Sequence, residues 1–433
     1  MSAAPPLGVS GRSAPPPVTD PSASGWRLAA LLRAPHRLAF FLATVMLLVA
    51  SGWWIAVLAQ RVGWTEPWPW AVSPTLAHGS IMVYGFMPLF FAGFLFTAGP
   101  KWLAVPGPEA RELLAPLLAY TFAWPVFLVG ACVSVGWASA GLWLAALALA
   151  ALTARFWRLI LASAVPDRVH ATAIGVALAL GVLALAAEAG ALLAGDDARA
   201  RVLLLSGLWA CVVPVFVVVA HRMLPFFTSA VLPFIEVWRP FWVLWLMLAA
   251  AGLELMSVWL DALGPAWPLL LGVRAVLELV LGAVLIGLAV VWGLAQSLRH
   301  RLLAMLHLGF LWLGLAFALA GLTRGLGLWL DDVVLPLGAL HALTMGCLGS
   351  LVVAMVTRVS SGHSGRPLAA DGWVWGLFWL LQVAVLIRLV AALPRLGGVW
   401  LLAAAALWGL VMLLWGQRHL RWYGQARADG RPG

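Results

Sequence analysis

The chain has 433 residues, of which 64% are hydrophobic and only 10% charged, with a formal net charge of +10. Soluble domains carry about 45–50% apolar and about 25% charged residues, so this composition excludes a soluble globular fold and indicates an all-α polytopic membrane protein. The basic excess lies in short loops between apolar runs, where it reads as a topology signal rather than a nucleic-acid surface.

Residues 1–25, rich in Pro, Ser, Ala and Gly, are expected to be a disordered tail. Residues 26–420 form the transmembrane domain and 421–433 a short C-terminal tail. Spanning a hydrocarbon core of about 30 Å takes about 20 apolar residues. Twelve runs qualify, over 38–60, 70–98, 112–134, 137–156, 169–194, 202–222, 237–260, 267–294, 302–323, 332–357, 371–393 and 397–416. The weakest boundary is "SVGWASAG", between the third and fourth.

With twelve spans both termini share a side. That side carries nineteen of the 26 Lys and Arg residues, against five on the other and two, Arg274 and Arg388, within spans. The positive-inside rule therefore places both termini in the cytoplasm. Cys132, Cys211 and Cys347 lie in apolar runs at unrelated spacings and read as small buried hydrophobes. There is no CxxCH, hence no covalently attached haem.

Ionisable residues at membrane depth are functional candidates by default. His78 lies in the outer third of the second span, in "AHGSIMVYGFMPLFFAGFL", and His341 at the same level in the tenth, in "LHALTMGCLGSLVVAM". Small neighbours flank both, leaving room for close helices or a flat cofactor. Two imidazoles at equal depth without a third strong ligand suit bis-imidazole ligation of a porphyrin iron better than tetrahedral zinc. The alternative is that each imidazole simply satisfies a backbone carbonyl or a hydroxyl.

Glu188, Glu254, Arg274 and Glu278 occupy the same outer third. Arg274 and Glu278, at i and i+4, read either as one internal salt bridge or as a haem-propionate partner and a proton-relay carboxylate, with Glu254 as a second candidate carboxylate. Glu188, Glu254 and Arg388 are also explicable by snorkelling to the interface.

His221, before the expected helix stop at Pro225, and His307 share a depth near the inner face. A second haem or a copper ion is one reading of them, and a helix-end or interfacial imidazole is the other. His363, in "TRVSSGHSGRPL", fits a turn, an anion contact or a metal ligand. Pro88 and Pro214 are expected kinks in the second and sixth spans.

Three segments, "HGSIMVYGFMPLFFAGFLFTAGPKW", "HRMLPFFT" and "LHALTMGCLGSLVVAMVTRVSSGHSGRPL", resemble the NnrS family of haem- and copper-associated bacterial membrane proteins, and "LLAMLHLGFLWLGLAF" resembles its ninth-helix segment. The resemblance implies a bacterial inner-membrane protein of nitric oxide metabolism or nitrosative-stress defence, linked to denitrification. It implies one or two b-type haems and copper as cofactors, with NO or another small gas and a membrane quinol or other electron donor as partners. Where the family's second helix reads His-x-His-Glu-Met, this chain has His78-Gly79-Ser80-Ile81-Met82, without the second His and the Glu.

The segment at His78 also resembles the His-Gly-x-x-Met stretch of the haem-copper oxidase catalytic subunit, which has twelve spans and a low-spin haem held from the second and tenth. Residues 237–260 contain no histidine, so the copper-binding His pair of that superfamily's seventh helix has no counterpart. Two function classes stand side by side: an NO-handling haem protein, with an NO reductase-like enzyme among its forms, and a transporter or export factor for a metal or small solute whose path Glu254, Arg274 and Glu278 would line.

Overall fold

A computed structural model describes residues 25–264, 267–330, 335, 337–393 and 396–431. The expected tail lies almost wholly outside them. Twelve helices are long and apolar enough to cross a membrane. They are α1 Pro35–Arg61, α2 Pro74–Leu103, α3 Ala110–Val133, α4 Val135–Ala162, α5 Val169–Leu193, α6 Asp197–Val231, α7 Phe241–Leu263, α8 Pro268–Val291, α9 Arg301–Leu326, α10 Gly338–His363, α11 Gly372–Val390 and α12 Gly398–Tyr423. No strand occurs among the described residues. The expected span count holds, including the doubtful boundary, where Ser134 alone, in extended conformation, separates α3 from α4. The hairpin is tight because Gly141 faces backbone; a Cβ there would lie 2.6 Å from Phe127 N.

Consecutive helices mostly pack as neighbours, and α1 closes the bundle against α12. Burial ranks the helices. The most apolar windows of α2 and α10 are 78% and 72% buried, against 28% for α8, so the two histidine-bearing spans form the centre.

Both central spans are irregular, as is α6. α2 is α-helical over Pro74–Ser80, π-helical over Ile81–Gly85 and α-helical again from Met87. α10 is π-helical over Ala342–Gly349 and α6 over Leu208–Val212. π-bulges of this kind cluster at functional sites. The expected kinks at Pro88 and Pro214 take this form, each proline falling in the first turn after a break or a π-segment. Pro88 has no N–H for the carbonyl four residues back, Tyr84 O. The Tyr120 hydroxyl of α3 donates to that oxygen instead, at 2.6 Å.

The helix stop expected at Pro225 does not occur. α6 runs through it to Val231, within a bundle that buries Leu224, Pro225, Phe227 and Thr228. Tertiary packing overrides the local breaker, as it does for prolines in other membrane helices.

Candidate functional site

His78 of α2 and His341 of α10 lie near enough for charge on one to influence the other, and Arg388 of α11 influences both. His341 Nδ1 donates to Leu337 O at 2.9 Å. With that nitrogen protonated, Nε2 keeps its lone pair, the arrangement a metal-ligating imidazole requires. The His78 ring stacks on Trp54 of α1 at 3.8 Å and 12°, and the Arg61 guanidinium covers Trp54 at 5.2 Å. Stacking occupies a face of the imidazole and leaves its lone pair, which lies in the ring plane, unobstructed. His78 Nδ1 is buried without a hydrogen-bond partner among the described residues.

The π-segments begin at Ile81, three residues after His78, and at Ala342, directly after His341. Further in, α2, α6 and α10, together with Phe40 of α1, enclose an apolar cleft lined by residues such as Phe90, Phe91, Phe216, Met355 and Val359.

Ser80 faces α5, where its hydroxyl bonds Glu188 Oε1 as well as Leu76 O. Glu188 is 1% exposed and its Oε2 has no partner among the described residues. It is therefore an interior carboxyl and not a snorkelling one. Since a hydroxyl has a single proton, Glu188 must itself carry one whenever Ser80 donates to Leu76.

The charged residues of α7, α8 and α9 pair differently from the expectation. Arg274 does not bridge to Glu278. It grips Asp261 of α7 with both terminal nitrogens, at 2.6 and 3.3 Å. Glu278, fully buried, receives Arg324 of α9, with Nε at 3.1 and 3.2 Å from its two oxygens and Nη2 at 3.0 Å. Asp261 and Arg324 are chemically equivalent to the i, i+4 partners; what distinguishes them is that helix packing presents each in the two-pronged geometry that strengthens such pairs. Arg274 is thus committed to Asp261 as a structural pair. Glu254 is also buried and lies near Glu278, with its Oε1 lacking a hydrogen-bond partner among the described residues.

His221 and His307 are not partners. His221 Nε2 donates to Pro240 O at 3.1 Å and its Nδ1 meets His170 Nε2 at 2.9 Å. The carbonyl fixes the tautomers: His221 Nδ1 must accept, so His170 Nε2 donates and His170 Nδ1 keeps a lone pair. Both ring nitrogens of His221 are engaged, which leaves none for a metal. His307 Nε2 meets Thr228 Oγ1 at 2.8 Å, and since that hydroxyl donates to Leu224 O, the imidazole is the donor. His363 ends α10, its ring centroid 4.3 Å from that of His36 in α1. Among the described residues no group of three or more His, Cys, Asp or Glu is arranged to hold a metal ion.

Sequence reasoning missed Asp261, Arg324, Trp54, His170 and His36. Asp261 and Arg324 lie near helix ends, where a charge reads as a surface group. His36 and His170 are each the second residue of their helices, where an imidazole reads the same way.

The fold and the central histidines define a multi-pass, all-α membrane protein built around two irregular histidine-bearing spans. The profile of the family described as NnrS protein matches residues 30–427 of 433, and the chain belongs to that family. Membership is consistent with a role in the response to nitric oxide. No curated protein matches the chain.

Proposed function

We propose that this chain is a b-type haem protein that binds or reduces nitric oxide within the membrane, with His78 and His341 as the iron ligands. The observation that carries the reading is the placing of the two imidazoles on the two most buried spans, with the Nε2 lone pair of His341 freed by its bond to Leu337 O and His78 Nδ1 buried without a partner among the described residues. The residues present fit a haem better than zinc, since two imidazoles stand without a third ligand among the described residues. Membership of the NnrS family supports the NO assignment. A haem held there would supply an iron for gas binding and one-electron transfer.

The chain's own residues have three tasks. Trp54 and Leu337 orient the two rings. The apolar side chains packed around α2 and α10 favour a small uncharged gas arriving through the bilayer. Reduction of NO consumes protons, and Glu188 and Glu254 are interior carboxyls, each with an unpartnered oxygen among the described residues, able to hold them. Glu188 has a particular place in this reading, because it returns a carboxyl from α5 to Ser80, where the family's second helix carries its second histidine. Copper at His221, His307 or His363 gains no support, since the described residues bring no third ligand to any of them. We place the protein in the bacterial inner membrane with both termini cytoplasmic, on the strength of the charge bias.

A reduced-minus-oxidised optical spectrum of the purified protein tests the cofactor. Soret and α bands are expected. His78→Ala and His341→Ala should each abolish the low-spin six-coordinate signal, and its persistence in both variants would refute the ligand pair.

A further inference from the structure

At the end of the bundle opposite His78, three segments converge: the start of α1, the turn after α10 and the chain end after α12. Gly365, at φ +70°, makes this possible, because a Cβ there would lie 2.5 Å from Asp429 Cγ. Ala428 N also donates to Ser364 O at 2.8 Å.

The convergence concentrates positive charge. Arg37, 2% exposed, donates through Nη1 to Gln425 O at 2.7 Å and Tyr423 O at 3.2 Å, and its Nη2 is buried without a partner among the described residues. Arg366 donates through Nη2 to Gln425 Oε1 at 3.4 Å, and its Nη1 is likewise buried and unpartnered. His36, 5% exposed, packs against His363 with the rings tilted and leaves Nδ1 without a partner among the described residues. Lys101 and Arg427 act on both imidazoles. Asp429 is the acid of this corner, and Arg427 already holds it at 2.6 and 2.9 Å.

The first turn of α1 contains no acidic residue and Ala34 offers no side-chain cap. Helix starts favour anions because their N–H groups and dipole are positive, so the surplus of cations here lacks its counterpart. Four residues further along the same helix faces, Phe40 and Val359 line the apolar cleft, one turn from His36 and His363 respectively. A basic corner thus adjoins the end of a hydrophobic cleft.

We propose that this corner binds the phosphoryl headgroup of an anionic phospholipid, with an acyl chain in the cleft bounded by Phe40, Phe90, Phe216, Met355 and Val359. Unpartnered guanidinium nitrogens of Arg37 and Arg366 receive the phosphoryl oxygens. Basic pockets between transmembrane helices recognise anionic headgroups by this chemistry.

The test is lipid retention by the full-length chain, purified in detergent and measured by native mass spectrometry after exchange into phosphatidylglycerol or phosphatidylcholine micelles. Preferential retention of phosphatidylglycerol is expected. Arg366→Gln should weaken it about fivefold or more, whereas Arg111→Gln, an exposed residue outside this corner, should leave it unchanged. Equal loss in the two variants, or no preference between the lipids, overturns the proposal. The wild-type chain gives a reading that needs no variant: long-chain phosphatidylglycerol should raise the midpoint of thermal unfolding more than its dioctanoyl form or inorganic phosphate. If phosphate alone produces the full shift, the lipid assignment falls and a free oxyanion is the ligand.

Discussion

Glu278→Gln tests whether the interior charges are paired along a helix or across helices. Glu278 is fully buried and meets Arg324 through three contacts of 3.0–3.2 Å, whereas Arg274, one turn away on its own helix, is occupied by Asp261. The amide in the variant accepts from Arg324 at one oxygen and carries no charge. Removing one partner of a fully buried ion pair costs about 3–5 kcal/mol. The Arg324 side chain is 21% exposed and so partly hydrated, which lowers the expectation to about 2–3 kcal/mol. Unfolding in mixed micelles by SDS, followed through tryptophan fluorescence, measures that loss. The decisive quantity is a double-mutant cycle. Coupling of Glu278→Gln with Arg324→Gln should reach about 1–2 kcal/mol, and coupling with Arg274→Gln should stay below about 0.5 kcal/mol. Coupling to Arg274 that equals or exceeds coupling to Arg324 would refute the cross-helix pairing and restore the i, i+4 bridge.

Tyr120→Phe should cost about 1–2 kcal/mol in the same assay, because it strips the Tyr84 carbonyl of the donor that stands in for the N–H missing at Pro88. In a Pro88→Ala background, where that N–H is restored, the cost should shrink; strict additivity of the two substitutions would sink the explanation. Asp371→Ala removes the cap that receives Val374 N–H at 3.0 Å and should cost about 1 kcal/mol at neutral pH. Burial pushes the Asp371 carboxyl up, but the Val374 N–H and Arg418 outweigh it and hold it below the usual carboxylate range. A lowered value contributes stability that is complete above the ordinary carboxylate pKa of about 3.9 and fades as pH falls through the folded value. Wild type and Asp371→Ala should therefore converge on acidification, and a gap that widens below pH 4 would contradict the assignment.

The span pattern was legible because membrane insertion is a local transaction between about 20 residues and the lipid around them. Composition along the chain identified twelve helices, and even the single-residue break at Ser134 separates spans that hydropathy had already distinguished. His78 and His341 stood out for the same reason, since an imidazole at that depth is costly wherever its partner lies. The three π-segments left no such trace, because they answer to what packs against the helix. Tyr120 makes the break before Pro88 tolerable, and it lies on another span.

Partnership was the part the chain order hid. Arg274 and Glu278 look matched at i, i+4, yet each pairs with the same kind of group on a different helix. His221 looked like a companion of His307 at equal depth, but depth fixes only one of three coordinates, and its actual neighbour is His170. Glu188 passed for a snorkelling carboxyl until α5 was set against Ser80. By itself the sequence determined the class of protein and its spans and singled out His78 and His341, because burial in lipid acts on each residue separately. Only the tertiary structure decided which charge faces which and where three distant segments meet around Arg37, because those pairings depend on helix rotation and adjacency that no local pattern encodes.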